Sequence, residues 1–424
     1  MSSMEDNKIL CSFCGRKASD VKKIIAKLDS KNQSDGVNIC ICDLCIEKCN
    51  TLIKKEQINT SHEEFNSNLT PASIKKYLDE YVEGQEEAKV AFSVAIYNHY
   101  HRILHAKKSG DTVVEKSNVL LVGPSGCGKT LMIKIIAKLL DIPFVIIDSS
   151  VITASGYVGN DVESALLKLL QAADYNVEKA EKGIIYLDEI DKLAKKDATG
   201  NSKDISGECV QQELLTLLEG SSMTVAINSK RSLQQESVTV DTTNILFICG
   251  GAFPELTNLI QKRIKSTNYS LEKNVVAMNN DTTDNSNLLR YVTNEDFEKF
   301  GFIREFINRF PVVVTMKELT ADQMFDLMKY KKNSFIKQYQ QIFADSNVDL
   351  QFTDEGLRFM IDFAIKQKGG VRSIKRILET ILKDDMFNYF SAKENNVLII
   401  DENIIANKLS DQLAVLNKKK VLLV

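Results

Sequence analysis

One glycine-rich motif limits the possible folds of this chain more than any other feature. It fits the pattern GxxxxGK[ST], follows the apolar run at residues 118–122 and precedes a helical pattern rich in Ile, Leu and Lys. Strand, glycine loop and helix together form a phosphate-binding loop, whose backbone N–H groups point at phosphate oxygens from the amino end of a helix. The residues expected to bind nucleotide here are Gly123, Pro124, Ser125, Gly126, Cys127, Gly128, Lys129, Thr130 and Leu131.

A second apolar run ends in two adjacent carboxylates, Asp188 and Glu189. Downstream of a phosphate loop, this arrangement predicts that Asp188 and Thr130 bind Mg²⁺ and that Glu189 polarises water for attack on the γ-phosphate. Lys129 would contact the β- and γ-phosphates. The alternative is a buried strand that merely ends in solvated acids, and the spacing from the phosphate loop disfavours it. The sequence therefore predicts an enzyme that hydrolyses ATP.

Composition narrows the class of protein. The 424 residues include 54 basic and 57 acidic side chains, a formal charge of −3, whereas nucleic-acid-binding proteins usually carry a basic surplus. No apolar run reaches membrane-spanning length, and residues 1–6 resemble neither a signal peptide nor a transit peptide. We expect a cytoplasmic protein that binds neither membrane nor nucleic acid.

Hydrophobic patterning predicts three domains. Apolar runs at 119–122, 144–147, 183–187 and 245–248 alternate with helical patterns, which is typical of an α/β fold with a parallel sheet and helices on both faces. After Pro311 the pattern becomes mostly helical. The predicted boundaries are 1–53 for a zinc-binding domain, 54–70 for a linker, 71–314 for a large ATPase domain with a polar insertion, extended or mobile, at 266–294, 315–405 for a smaller helical domain and 406–424 for a tail.

Six of the nine cysteines lie in the first fifty residues, which points to metal in a reducing compartment. Cys11-x2-Cys14 and Cys42-x2-Cys45 form two CxxC pairs, the donor set of a tetrahedral zinc site. The 27 residues between the pairs exceed the usual spacing, and Cys40 and Cys49 offer further sulfurs. We expect zinc on Cys11, Cys14, Cys42 and Cys45, with an exchange of ligands left open.

Several short stretches together resemble the ClpX family of zinc-domain-bearing AAA+ protein unfoldases, within the Clp/Hsp100 group. The likeness covers residues 11 to about 401, nearly the whole chain. Beyond the phosphate loop, it is carried by YVEGQ at 81–85, YNHY at 97–100, GYVG at 156–159, LDEIDK at 187–192 and ICGGAF at 248–253.

The resemblance implies a homohexameric ring with each nucleotide between subunits. Arg309 matches the family's arginine finger, which neutralises charge developing on the γ-phosphate of a neighbour. Arg372 matches the sensor-2 arginine of the small domain. Val82 falls at a nucleotide-contacting position, and Glu83 replaces the apolar residue that usually abuts the base, a change expected to weaken adenine packing.

The resemblance also implies how protein substrates are gripped. Tyr157 and Val158, between two glycines, match the aromatic pore loop that holds unfolded or tagged proteins, and residues 206–208 match a second pore loop. Lys230 and Arg231 fall in the pore-entrance loop, where the family's His is lost, so recognition of acidic chain ends would be altered. The zinc domain of the family docks adaptors or substrates.

One family feature is missing from the sequence. ClpX proteins that feed a ClpP-type peptidase carry an apolar-Gly-Phe tripeptide after the position of Arg263, whereas residues 265–273 read KSTNYSLEK. Leu271-Glu272-Lys273 would present charge where apolar side chains must insert. The prediction is weak or absent docking to such a peptidase, which leaves a stand-alone remodelling ATPase as an alternative.

Two other classes share the ATPase core. A nucleic-acid motor or clamp loader is disfavoured by the aromatic loop and the acidic charge, and a scaffold without turnover is disfavoured by the intact Lys129, Asp188, Glu189 and Arg309. His99, His101 and His105 form a cluster without a carboxylate ligand motif, so a solvated or packing helix face is expected rather than a metal site.

Overall fold

The computed structural model describes residues 10–17, 20–26, 40–49, 69–105, 114–152, 162–194, 205–227, 236–266, 285–367, 369–389 and 396–410. The chain divides into two compact units, Met1–Leu69 and Thr70–Val424. The predicted linker, 54–70, lies almost wholly outside the described residues.

The first unit is built around a short antiparallel pair. Strands β1 (Ile24–Ala26) and β2 (Cys40–Cys42) pair with Ile24 opposite Cys42 and Ala26 opposite Cys40. A helix, α1, covers residues 43–49 directly after β2. An isolated bridge joins Leu10 to Lys17 and closes the turn that carries the first CxxC pair.

The second unit contains a five-stranded parallel sheet with the order β4-β5-β8-β3-β9. The strands are β3 (Val119–Val122), β4 (Phe144–Asp148), β5 (Ile184–Asp188), β8 (Leu246–Gly251) and β9 (Val312–Thr315). The four predicted strands are confirmed with ends shifted by a few residues. The fifth, β9, was assigned by the sequence to a helical region, because a run of three valines has no period that separates strand from helix.

Helices cover the sheet. Between β5 and β8 the chain also forms an antiparallel hairpin of β6 (Ser222–Ile227) and β7 (Glu236–Asp241). The helices that accompany the sheet are α2 (Pro71–Asp79), α3 (Glu86–His105), α4 (Lys129–Leu140), α5 (Val162–Ala172), α6 (Val177–Ala180), α7 (Ile205–Glu219), α8 (Leu256–Ser266), α9 (Asn294–Phe300) and α10 (Arg304–Ile307). All of β3 is buried, which explains why its sequence is continuously apolar rather than alternating.

A smaller helical part follows the sheet. It contains α11 (Ala321–Lys329), α12 (Phe335–Ala344), α13 (Asp354–Lys366), α14 (Gly370–Tyr389) and α15 (Glu402–Lys408), with a parallel pair of β10 (Val348–Phe352) and β11 (Asn396–Ile400). Its buried side chains form a core of their own that runs from Met324 to Leu409. We call residues 70–315 the sheet part and residues 316–410 the helical part. The predicted boundary at 405 would cut through α15.

The carboxyl-terminal end of the predicted insertion contains a short helix. Residues Asn285–Tyr291 form a 3-10 helix whose Leu288 and Leu289 are buried in the core of the sheet part. Two apolar side chains thus anchor an otherwise polar segment. Residues 267–284 lie outside the described residues. Within the described part of the chain, no helix is both long and apolar enough to cross a membrane.

Candidate nucleotide site and metal centre

The phosphate loop joins the carboxyl end of β3 to α4, at the edge where parallel sheets bind ligands. Gly126 and Gly128 have φ values of +85° and +104°, a region that side chains with a Cβ disfavour. Gly123 is required for a different reason, since a Cβ there would lie 2.7 Å from the carbonyl oxygen of Met316. The glycine spacing therefore follows from backbone conformation at two positions and from close packing at the third.

Lys129 is the first residue of α4, and its side chain folds back over the loop. Its Nζ donates to the carbonyl oxygens of Gly123 at 2.5 Å and Pro124 at 2.9 Å, and only 9% of the residue is exposed. The ammonium group thus lies inside the curve of the loop, where phosphate oxygens would replace these carbonyls as its partners.

Asp188 ends β5 and faces Thr130, whose Oγ1 lies 3.3 Å from Asp188 Oδ2. These two oxygens fit the hard donors that Mg²⁺ prefers. The other carboxylate oxygen is already oriented by Tyr186, whose hydroxyl donates to Oδ1 at 2.9 Å, and by the backbone N–H of Glu189 at 3.0 Å. Burial raises the pKa of Tyr186, so the phenol remains a donor. Sequence reasoning missed Tyr186, which reads as one more apolar strand residue.

Glu189 adopts a left-handed backbone conformation, with φ of +57°, at the turn after β5. Its carboxylate is half-exposed and forms an ion pair with Lys192. The hydrogen bond that Lys192 donates to Glu189 raises the pKa of Lys192 above its usual range. Glu189 therefore stands at the mouth of the site and can exchange this partner for a water molecule.

Asp191 ties the ends of two strands together. Its Oδ1 accepts from the N–H of Ala252 and its Oδ2 from the N–H of Phe253, both at 3.3 Å, just past the end of β8. A Cβ on Gly251 would lie 2.6 Å from Asp191 Oδ1, so the glycine allows this approach. The contact fixes the β8 end beside Asp188 and Glu189.

These groups open into a cavity of about 440 Å³ between the sheet part and the helical part. The predicted residues that line it are Ser125, Gly126, Gly128, Lys129, Thr130, Leu131, Asp188, Glu189 and Arg372. Further lining residues were not predicted, among them Tyr81, Asp191, Leu327, Met328, Asn333, Phe335, Gln338 and Val371. Gly123, Pro124, Cys127 and Val82 are not among the lining residues, and Val82 is buried.

Arg372 and Arg309 lie near opposite ends of the strands of the sheet. A Cβ built on Gly126 would lie 3.8 Å from Cγ of Arg372, which places this arginine beside the phosphate loop of its own chain. Arg309 precedes β9, whose Val312 pairs with Val119 at the amino end of β3. Four residues of strand, roughly 13 Å, therefore separate Arg309 from the start of the phosphate loop.

Arg309 is half-exposed and paired with Glu219, the last residue of α7. Its backbone carbonyl accepts a hydrogen bond of 3.1 Å from Asn118 Nδ2. The backbone is thus fixed to the sheet, while the guanidinium has only a surface ion pair to exchange, and such pairs are worth little. Within its own chain this arginine does not line the cavity.

Four sulfurs converge in the first unit. The Sγ atoms of Cys11, Cys14, Cys42 and Cys45 lie within 4.8 Å of one another, with 3.8 Å between Cys11 and Cys45 and 3.7 Å between Cys14 and Cys42. Tetrahedral zinc with Zn–S bonds of about 2.3 Å requires sulfurs roughly 3.8 Å apart, so this donor set fits the metal. Cys40 and Cys49 lie outside the cluster, although Cys40 is buried and its N–H donates to Ser12 Oγ.

Other predicted residues are only partly described. Tyr157, Val158, Lys230, Arg231 and most of the docking segment lie outside the described residues. Gly207 is in the first turn of α7, where a Cβ would lie 2.8 Å from the carbonyl oxygen of Leu193. His99 is buried, with Nε2 3.1 Å from the carbonyl oxygen of Asn244, so the packing role expected for this helix face is confirmed there.

Comparisons with known proteins agree with this geometry. Residues 114–313 match a sequence-family model described as AAA domain (Cdc48 subfamily), residues 9–55 match ClpX C4-type zinc finger, and residues 320–398 match the C-terminal, D2-small domain, of ClpB protein. The ATP-dependent Clp protease ATP-binding subunit ClpX of Porphyromonas gingivalis is 40% identical over 397 residues, 92% of this chain and 93% of that protein. The protein of the same name from Treponema denticola is 40% identical over 406 residues, 95% of each chain.

The parallel sheet, the phosphate loop with its paired carboxylates and the matched AAA domain define an AAA+ ATPase. ATP, Mg²⁺ and Zn²⁺ are its cofactors. The zinc-finger match and the two relatives, which match over more than nine-tenths of their length, identify the family within this class. The chain belongs to the ClpX family of ATP-dependent protein unfoldases.

Proposed function

We propose that this protein works as a homohexameric ring that unfolds and translocates proteins, with each ATP bound between two subunits. One chain would contribute the cavity lined by the phosphate loop and Arg372, and this cavity would form one side of the site. The observation that carries the proposal is the position of Arg309, which lies near the opposite end of the strands and is free of its own cavity. If Arg309 acts on nucleotide, as the arginine finger of the ClpX family does, that nucleotide would be held by a neighbouring subunit.

The observed contacts support a role for each residue of the site. Lys129 would leave the carbonyls of Gly123 and Pro124 for the β- and γ-phosphates. Asp188 and Thr130 would hold Mg²⁺, which neutralises phosphate charge when bound. Glu189 would exchange Lys192 for the attacking water and accept its proton.

Arg372 would report hydrolysis to the rest of the chain. It belongs to the first turn of α14 in the helical part, yet it reaches the phosphate loop of the sheet part. Loss of the γ-phosphate removes a partner of this arginine, and the two parts can then rotate relative to each other. Such a rotation would move the pore loops.

The substrates in this proposal are unfolded or tagged proteins. Tyr157 and Val158 would grip the chain, while Lys230 and Arg231 would attract acidic ends at the pore entrance. The zinc-bearing unit would dock adaptors or substrates. Neither a membrane nor a nucleic acid is required for this work, and we place it in the cytoplasm.

Coupling to a peptidase is the point at which this chain would differ from its relatives, which are named as subunits of a Clp protease. Residues 265–273 contain no apolar-Gly-Phe tripeptide. We therefore propose weak or absent docking to a ClpP-type peptidase, and the second candidate function is a stand-alone protein-remodelling ATPase.

The test is ATP-dependent unfolding of a tagged fluorescent protein, with and without a ClpP-type peptidase. We expect fluorescence loss in both reactions, degradation in neither, and no loss with the Glu189→Gln variant, which should trap ATP. A wild-type protein that hydrolyses ATP without unfolding the substrate would refute the unfoldase, and a stable ATP-dependent complex with the peptidase would refute the docking defect.

A further inference from the structure

The loop between α2 and α3, residues 80–85, ties the helical part to the sheet part. The N–H of Lys332 donates to the carbonyl oxygen of Glu80 at 2.9 Å. The side-chain amide of Gln85 pairs with the backbone of Lys317 in both directions, donating to its carbonyl at 2.6 Å and accepting from its N–H at 3.0 Å. These contacts join segments more than 230 residues apart, so the loop is a junction rather than a simple connection.

Two ion pairs cross this junction, Lys331–Glu83 and Lys332–Glu80. Lys331 Nζ lies 2.9 Å from Glu83 Oε2 and also donates to the carbonyl oxygen of Asp79 at 2.7 Å. The two side chains are only 19% and 21% exposed, whereas the neighbouring Lys332–Glu80 pair is 62% and 35% exposed. Partial burial makes the Glu83–Lys331 pair the less screened of the two by salt.

This geometry revises the expectation for Glu83. Its carboxylate does not line the nucleotide cavity, although Tyr81, two residues earlier, does. The position that departs from the family pattern therefore faces a lysine of the helical part rather than the base. The negative charge of Glu83 on the loop and the positive charge of Lys331 on the facing turn are complementary.

The turn that carries Lys331 also forms a wall of the nucleotide cavity. Lys332, Asn333 and Ser334 line that cavity directly after Lys331. Gln338 lines it too, and its Nε2 donates to the carbonyl oxygen of Asn333 at 2.8 Å. Any displacement of Lys331 from Glu83 would therefore move this wall.

Lys337 holds the same turn from the other side. Its Nζ donates to the carbonyl oxygens of Tyr330 and Lys331, both at 2.9 Å. The turn is thus braced against α12, so it moves with the helical part as one body.

We propose that the Glu83–Lys331 pair is an electrostatic strap that holds the helical part against the α2–α3 loop and keeps the nucleotide cavity closed. Glu83 is then a positioning residue, which acts on nucleotide through the turn at 330–334. The inference rests on the proposed function, because it assigns a restraint to the rotation that hydrolysis would drive. If only molecules with a closed cavity bind nucleotide, the apparent affinity is proportional to the fraction of molecules that are closed. Loss of the strap reduces that fraction and so lowers the apparent affinity.

The test is a double-mutant cycle on binding of a fluorescent ADP analogue with Mg²⁺ to the full-length protein. Glu83→Gln removes the charge and keeps the size, and Lys331→Met removes the partner. We expect Glu83→Gln to weaken binding about two- to fivefold at low ionic strength. The variant pair should be non-additive, so that the double variant binds no more weakly than Lys331→Met alone.

The matched control is Lys329→Met, which removes a lysine two residues earlier that pairs with Asp354 inside the helical part at 2.6 Å. It should leave ADP affinity unchanged. At about 1 M salt, where screening extends over only about 3 Å, Glu83→Gln and wild type should converge. A merely structural role would instead lower the melting temperature and leave the affinity difference independent of salt.

The strap is refuted if Glu83→Gln binds ADP as tightly as wild type at low salt, or if the two substitutions add. Because ADP binding needs no protein substrate, the cycle remains informative even if the wild-type protein unfolds nothing. Failure of the strap and failure of the unfoldase are therefore separate outcomes.

Discussion

Replacement of Tyr186 by Phe isolates one contact that orients the carboxylate of Asp188, which we propose binds Mg²⁺. Tyr186 is fully buried, and its hydroxyl donates to Asp188 Oδ1 at 2.9 Å. After the substitution, this oxygen keeps only the N–H of Glu189, at 3.0 Å. The ring itself stays in place, since Phe has the same shape.

The size of the effect follows from the kind of contact that is lost. A hydrogen bond to a charged group contributes about 1.5–3 kcal/mol, and loss of a partner that orients a metal ligand typically costs about 10–100-fold in metal affinity. Asp188 retains one of its two donors, so we expect the lower end of that range. The Mg²⁺ concentration for half-maximal ATPase should rise about tenfold, whereas kcat at saturating Mg²⁺ should change much less.

The assay is steady-state ATP hydrolysis during a Mg²⁺ titration. Tyr100→Phe is the control, because its buried hydroxyl also loses one hydrogen bond, to the carbonyl oxygen of Lys182 at 3.2 Å, away from the site. Both variants should lose stability, but only Tyr186→Phe should shift the titration. An unchanged Mg²⁺ midpoint for Tyr186→Phe would refute the assigned role of the contact.

Three other perturbations test separate parts of the account. Arg309→Ala should lower ATP hydrolysis about 10³-fold with nucleotide affinity nearly intact, and a loss of affinity instead would place Arg309 in its own site. Cys14→Ser should abolish zinc binding measured by elemental analysis, whereas Cys40→Ser should retain the metal; equal loss would contradict the assigned donor set. Burial, with the nearby charge of Arg102, lowers the pKa of Lys116 to about 7. The unfolded chain therefore binds more protons above that pH, so the melting temperature of wild type relative to Lys116→Met should rise from pH 7 to about pH 9; a flat difference would contradict this.

The sequence predicted those features that local pattern determines. The phosphate loop could be located because its glycines are required at fixed positions by backbone conformation and by contact with Met316. Three of the four predicted strands, β3, β5 and β8, are buried along almost their whole length and so form apolar runs in the sequence. The fourth, β4, lies at the edge of the sheet and was found from its β-branched and aromatic residues. The strand at Val312–Thr315 was missed because three consecutive valines have no period that separates a strand from a buried helix.

Other site residues could not be predicted because they belong to a distant segment. Phe335 and Gln338 line the nucleotide cavity only after the helical part packs against the sheet part. Glu83 looked like a defect in a nucleotide contact for the same reason, since its partner Lys331 lies some 250 residues later. A single carboxylate out of pattern carries no information about such a partner until the fold brings the two together.

The central claim is that neighbouring subunits share each nucleotide site and that hydrolysis there unfolds protein. It is tested most directly by mixing Lys129→Ala subunits with Arg309→Ala subunits and following the fluorescence of a tagged substrate. In mixed rings an intact phosphate loop on one subunit meets an intact arginine from the next, so the mixture should unfold the substrate although neither variant does so alone. If rings assemble and the mixture remains as inactive as its components, the shared site is contradicted.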